Sequence, residues 1–324
     1  MIHIAFNLDN NYVTHCATVI ASIIENNHNH CNISFHLISA DLSNSNKSKL
    51  NQWINEKKEL YHIYFYDIDQ AIFDNFPLGQ TYLNITCYYR LLIPTLLTEI
   101  NKAIYLDCDT IVLGSLEGLW NTNIENKTWA GVRDRINDYI RVYNRLDYPL
   151  AYGYFNDGVM LLNLDEMRKV DMLSISKDIA SNIPLALKNH EQDILNKIFY
   201  KNKQALDFKY NLLEYYLYTE DWLYLDRKYY PEIVEACKNP VIVHFCMPQK
   251  PWHIECINPY KELYYKYRKM TPWPELKLTH KKKKLSQKQK LKLALEKLGL
   301  YKVERKSTLR KDINVIENPN NILF

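Results

Sequence analysis

The chain has 324 residues, 47% of them hydrophobic and 24% charged, enough for one large α/β domain with an appendage or for two modest domains. Seven glycines, none spaced as GxGxxG or GxxxxGK[ST], exclude a dinucleotide-binding turn and a P-loop, which need glycine where backbone meets phosphate. Seven cysteines without a CxxC pair fit neither a disulfide framework nor a zinc knuckle, and point to a reducing, cytoplasmic compartment. The net charge of +4 is uneven: residues 277–324 hold 14 Lys/Arg against 4 Asp/Glu, and residues 1–276 hold 27 against 33.

In chain order, residues 2–6 read as a strand rather than a signal peptide, because no basic segment precedes them and the apolar run ends at once. Val13, Ala17, Ile20 and Ile24 give residues 12–26 helical spacing. Residues 33–39 form a second strand, 45–60 a polar helix on Leu50, Trp53 and Ile54, and 61–68 a third strand rich in aromatics. Residues 85–93 look helical and stop at Pro94. A fourth strand covers 102–106. Buried strands follow at 159–164 and 241–245, with a helix at 190–200 between them and a long irregular stretch at 210–230. This β–α alternation predicts a mostly parallel sheet with right-handed crossovers. No run approaches the roughly 20 apolar residues of a membrane span.

The strongest local signal is the apolar strand that runs into Asp107-Cys108-Asp109. Side chains two apart in extended chain share a side, so both carboxylates meet at the carboxyl end of a buried strand, where open α/β sheets place ligands. A divalent cation would relieve their repulsion. A rival pair, Asp67 and Asp69, reads better as a cap on the next turn. The second signal is His244 at the end of the buried strand 241–245, with Lys250 six residues on. An imidazole completes a carboxylate set for Mn²⁺, and the lysine can neutralise a diphosphate. Three weaker polar clusters are Asp9-Asn10-Asn11-Tyr12, Asn156-Asp157-Gly158, and His190-Glu191-Gln192-Asp193 opening a helix.

Taken in order over residues 1–275, these segments resemble the retaining glycosyltransferases of family 8, and among them the bacterial lipopolysaccharide galactosyltransferases and glucosyltransferases. The resemblance implies a GT-A fold, Mn²⁺ or Mg²⁺ as cofactor, UDP-galactose or UDP-glucose as donor, and a lipopolysaccharide or related lipid-linked acceptor. Carried over by position, it implies Asp107, Asp109 and His244 as metal ligands and Lys250 on the diphosphate. Asp9, Asn11 and Tyr12 would line the nucleoside pocket, and Arg90 would contact the donor sugar. Asp134, Asn156, Glu191 and Gln192 would surround the transfer point. The chain departs from the family pattern at Asn10 (usually Asp), Asp157 (usually small), Glu191 (usually Asp) and Met247 (usually Gly).

Beyond residue 275, Leu291, Ala294, Leu295 and Leu298 share a face among lysines, and Gly299 fits a C-cap, so residues 276–300 read as a basic amphipathic helix. Such a tail would dock on the anionic inner face of the plasma membrane. No nucleic-acid motif accompanies the lysines. Two rival functions stay open on sequence alone. Asp107-Cys-Asp-Thr resembles the nucleophile loop of haloacid-dehalogenase-type phosphohydrolases, and the pattern departures allow a non-catalytic sugar-nucleotide-binding protein.

Overall fold

In a computed structural model, residues 1–27, 32–57, 60–77, 84–183, 187–218 and 225–281 are described. Ten strands carry the fold among these residues: β1 (Ile2–Asn7), β2 (Ile33–Ser39), β3 (Tyr61–Asp67), β4 (Lys102–Leu106), β5 (Thr110–Val112), β6 (Trp129–Arg133), β7 (Phe155–Asn163), β8 (Lys203–Ala205), β9 (Leu212–Leu213) and β10 (Ile242–His244). Seven form one sheet in the order β3-β2-β1-β4-β7-β6-β8, and β5-β10-β9 form a second, small sheet. In the large sheet β7 alone runs against its neighbours, β4 and β6; the other described pairings are parallel.

Alternating side chains of the large sheet feed two cores. Ile4, Phe6, Ile104, Leu106, Val159 and Leu161 face one cluster. Ala5, Ala103, Tyr105, Met160 and Leu162 face the other. Strands buried on both faces read as continuous apolar runs, which is why 2–6 and 102–106 were legible. On the first face lies α1 (Val13–Asn27), whose polar Ser22 is no flaw: its hydroxyl donates to Val19 O and accepts from Val112 N, tying the helix to β5.

Helix α2 (Asn44–Asn55) is capped by Ser43 and ends five residues before the predicted boundary at 60. Residues 85–92 form a 3₁₀ helix rather than an α-helix. Pro94 does not stop it but sits in the first turn of the short α3 (Ile93–Leu96), where a missing N–H costs nothing. Strand β7 begins at Phe155, so Asn156, Asp157 and Gly158 lie inside the strand and not in a corner before it. The helix predicted over 276–300 is corrected at its start: residues 276–281 are not helical, Thr279 bridges His253, and Ile254 N donates to Thr279 O. The remainder of that prediction lies outside the described residues.

Candidate active site

Strand order reverses between β1 and β4, and the carboxyl ends of both open onto one cleft. Because β7 is antiparallel, its amino end reaches the same edge: Leu106 pairs with Val159, and Asp107 N donates to Gly158 O at 2.8 Å. The small sheet supplies the last group. His244 on β10 pairs with Thr110 on β5, one residue past Asp109. The cleft encloses about 310 Å³ and is lined in part by Asp9, Tyr12, Arg90, Asp107, Asp109, Glu191 and Lys250.

Asp107, Asp109 and His244 offer ligand atoms that all lie within 4.8 Å of one another. His244 Nε2 stands 3.2 Å from Asp109 Oδ1 and 3.7 Å from Asp107 Oδ2. The tautomer follows from a chain of hydrogen bonds that starts at the backbone. Gly158 N can only donate, and it donates to Asn156 Oδ1 at 3.0 Å. That oxygen also accepts from Asn211 Nδ2 at 2.8 Å, which turns Asn211 Oδ1 toward His244 Nδ1 at 3.1 Å. The proton therefore sits on Nδ1, and the Nε2 lone pair faces the carboxylates, as a metal-binding imidazole requires. Gly158 also makes the room. A Cβ there would stand 2.2 Å from His244 Cε1 and 2.7 Å from Asp107 Oδ2. Two carboxylates and one imidazole at these distances fit a divalent metal ion.

Lys250 Nζ donates to Asp109 Oδ2 at 2.5 Å and to Phe245 O at 2.7 Å. Burial alone would raise the Asp109 pKa, but the Lys250 ammonium beside it holds the carboxyl well below the usual range. Arg90 is buried against the Tyr105 ring, and Tyr105 donates its hydroxyl to Asp107 Oδ1 at 2.7 Å. Asp107 is thus fixed from three sides, by Tyr105, Arg90 and its own backbone.

At the other end of the cleft, Asp9 Oδ1 accepts from Asn11 N and Tyr12 N, turning the chain into α1, and Oδ2 accepts from Asn84 Nδ2 at 2.7 Å. Burial pushes the Tyr12 phenol up to about 12. Its ring meets Trp252 edge-on at 5.8 Å, and Trp252 stacks on His15 at 3.6 Å. Burial takes His15 down to about 3, so this wall is uncharged at neutral pH. Asn11 is exposed and lies outside the cleft lining.

Asp134, Asn156 and Gln192 form a buried cluster beside the cleft. Gln192 Oε1 accepts from Asn156 Nδ2 at 2.9 Å and from Asp157 N at 3.4 Å, and Gln192 Nε2 donates to Asp134 Oδ2 at 3.4 Å. Burial raises the Asp134 pKa, against hydrogen bonds from Ile136 N, Asn156 and Gln192. Glu191, Gln192 and Asp193 open α8 (His190–Ile198), the helix numbered eighth after α4 (Glu117–Trp120), α5 (Ile140–Leu146), α6 (Leu164–Arg168) and α7 (Met172–Asn182). Asp193 faces away from the cleft, pairing with Arg145 and accepting from Lys188 N and Asn189 N. The rival pair behaves as a cap: Asp69 accepts from Ala71 N, and the exposed Asp67 binds Lys47. Sequence reasoning missed Asn211, Asn84 and Tyr105. Asn211 sits in irregular chain before a two-residue strand, and nothing in the local pattern marks it.

An acidic cleft at the switch point of a mostly parallel sheet, closed by one antiparallel strand, defines a GT-A-type transferase fold. The solved galactosyltransferase LgtC, crystallised with donor and acceptor sugar analogs, superposes with a TM-score of 0.74 at 24% identity, covering 84% of this chain and 96% of LgtC. The profile of glycosyl transferase family 8 matches residues 3–256, and the chain belongs to that family. Among its relatives, general stress protein A of Bacillus subtilis is 30% identical over 84% of this chain and 95% of its own length. A lipopolysaccharide 1,2-glucosyltransferase of Escherichia coli is 27% identical over 90% and 84%. The protein is therefore a glycosyltransferase, and the phosphohydrolase reading of Asp107 falls away.

Proposed function

We propose that the protein is a retaining hexosyltransferase that moves galactose or glucose from a UDP-sugar to a lipopolysaccharide, lipooligosaccharide or related lipid-linked glycan. The observation that carries this reading is the convergence of Asp107, Asp109 and His244 beside Lys250 in one cleft with Asp9, Tyr12 and Arg90. The name of the E. coli relative supports the acceptor class.

Asp107, Asp109 and the Nε2 of His244 would hold Mn²⁺ or Mg²⁺. When bound, that ion supplies Lewis acidity to the departing diphosphate. Lys250 carries a second positive charge to the same phosphates, stabilising the charge that grows in the transition state. Asp9 and Tyr12 hold the nucleoside. The bond from the anomeric carbon to the phosphate oxygen breaks, and its electron pair leaves with UDP. The acceptor oxygen bonds to the anomeric carbon on the same face, and its proton passes to the leaving phosphate. Gln192 supports this route over a covalent intermediate, because its amide oxygen already accepts two hydrogen bonds. Asp134 is likewise committed, to Asn156, Gln192 and Ile136 N.

The test is UDP release from a panel of UDP-sugars with Mn²⁺ or with EDTA. Slow hydrolysis of one donor, lost with EDTA, is the expected result, and any turnover dismisses a non-catalytic role. Failure of every UDP-sugar to bind with Mn²⁺ present would overturn the reading.

We further propose that residues 1–275 do the chemistry while the basic segment beyond them holds the enzyme on the inner face of the plasma membrane. No helix of the described residues is long and apolar enough to cross a membrane, so the attachment would be peripheral. Exposed Ile254, Ile257 and Leu278 beside Lys277 and Lys281 support a lipid-facing surface that leads into this segment. Each added basic residue near an anionic surface contributes about 1 kcal/mol. The full chain should co-sediment with anionic liposomes and a chain ending at Lys281 should bind markedly less. Equal binding would end the docking idea.

A further inference from the structure

Lys250 and Trp252 reach the cleft from one turn. His253 N donates to Lys250 O at 2.8 Å, and Lys250 N donates to His253 Nδ1 at 3.1 Å, so backbone and ring close the turn together. It carries the Lys250 ammonium to Asp109 and sets the Trp252 ring against Tyr12 and His15. On its inner side Tyr265, from the helix Lys261–Arg268, donates its hydroxyl to Pro251 O at 2.9 Å.

The outer side is held by chain that returns from beyond residue 275. Thr279 N donates to Trp252 O at 3.0 Å, the Thr279 hydroxyl reaches the same oxygen at 3.4 Å, and Ile254 N donates to Thr279 O at 3.0 Å. Thr279 thus lies beside His253 as a parallel bridge. The next two residues fasten to Glu255. Its Oε1 meets His280 Nδ1 at 3.0 Å, and its Oε2 accepts from Lys281 N at 3.1 Å. Thr279, His280 and Glu255 are all exposed. These contacts therefore add little to the core, and what they fix is the backbone on either side of His253.

We propose that residues 277–281 are a strap that holds the Lys250 turn in its nucleotide-binding shape, with Thr279 as the positioning residue. The inference rests on the UDP-sugar reading above, and it carries the catalytic unit past residue 275. A turn free to take other shapes binds only while it has the right one, and apparent affinity falls by that fraction. Once the nucleotide is bound, Lys250 and Trp252 occupy the same places with or without the strap. The loss then falls on affinity and not on turnover.

The experiment uses the full chain. It measures Kd for UDP with Mn²⁺ present, by calorimetry, together with KM and kcat for UDP release from the best UDP-sugar. Thr279→Pro removes the N–H that Trp252 O accepts and suits extended chain. Combined with Glu255→Ala, it also releases His280 and Lys281. Leu278→Pro is the control for stiffening, because the Leu278 N–H makes no hydrogen bond among the described residues. Thr279→Pro should raise Kd and KM together by about fivefold, the worth of one lost hydrogen bond, with kcat within about twofold of the wild type. The combined variant should raise both by about tenfold or more. Leu278→Pro should stay within about twofold, and melting temperatures should barely move, as for most surface changes. A strap that serves only the stability of the fold would lower the melting temperature and leave Kd in place, and that result overturns the proposal. So does a fall in kcat with Kd unchanged, or an equal rise in Kd from Leu278→Pro. If the wild type binds no UDP with Mn²⁺ present, the UDP-sugar reading itself fails, and this inference with it.

Discussion

Asp109→Ala should lower UDP release by about 10³-fold, the scale expected when the main electrostatic stabiliser of a leaving group is lost. Two effects add. The ligand set shrinks to Asp107 and His244, and Lys250 loses the carboxylate it meets at 2.5 Å. A buried cation left without its partner costs about 3 kcal/mol, moderated here by the bond Lys250 keeps to Phe245 O. The variant should therefore bind Mn²⁺ more weakly by calorimetry and also melt earlier. Asp67→Ala is the control. Its carboxylate is exposed and bound only to Lys47 among the described contacts, so activity should stay within about threefold, as for most surface changes. Full activity in Asp109→Ala would remove Asp109 from the metal set.

Gly158→Ala is the second change with a large expected effect, although it adds a single methyl group. That carbon would stand 2.2 Å from His244 Cε1, 2.7 Å from Asp107 Oδ2 and 2.8 Å from His244 Nδ1. Neither neighbour can yield without cost. His244 is pinned by Asn211, and Asp107 by Arg90 and Tyr105. Overpacking of this kind costs about 1–3 kcal/mol in stability, and displacing two of the three candidate ligands lowers activity about 100-fold. Gly114→Ala is the matched control, since its Cβ would meet nothing nearer than 3.8 Å, from the Val241 side chain. UDP release and melting temperature, measured on both, separate the two glycines. Similar behaviour of the two variants would mean that the crowding around Gly158 is relieved more cheaply than the geometry implies.

The legible parts of the sequence were those where burial leaves one signature. Strands β1 and β4 are covered on both faces and so read as mostly apolar runs, whereas β2 alternates Ile33, Phe35 and Leu37 with Ser34 and His36. The carboxylates and the histidine were found because each follows such a run directly. Helix α1 was found by its period. The amino end of β7 was not, because Asn156 and Asp157 look like a turn until their partners are known. They are buried by Gln192, Arg90 and Asn211, all distant in sequence. Strand β6 was overlooked because Trp129–Arg133 is short and holds a glycine. Asn211 had no signal at all. Its role exists only because β9 and β10 lie side by side, with His244 opposite Leu213. Hydrogen-bond networks that join separate elements leave no periodic trace in a single chain, and they build much of this cleft.

The antiparallel setting of β7 has a consequence for how such a protein can diversify. A strand running with its neighbours contributes only the loop that leaves it to the functional edge. Here the chain between β6 and β7, residues 134–154, both leaves and returns on that edge. It starts at Asp134 and returns at Asn156 and Asp157, so each end is anchored by the sheet, and its middle is seated by α5, where Val142, Tyr143 and Leu146 are buried and Arg145 pairs with Asp193. Exchange of that one segment between relatives would reshape the rim and leave the floor untouched, since the floor is set by β4 and β10. It is a natural cassette, and the first place to cut when a new acceptor preference is sought.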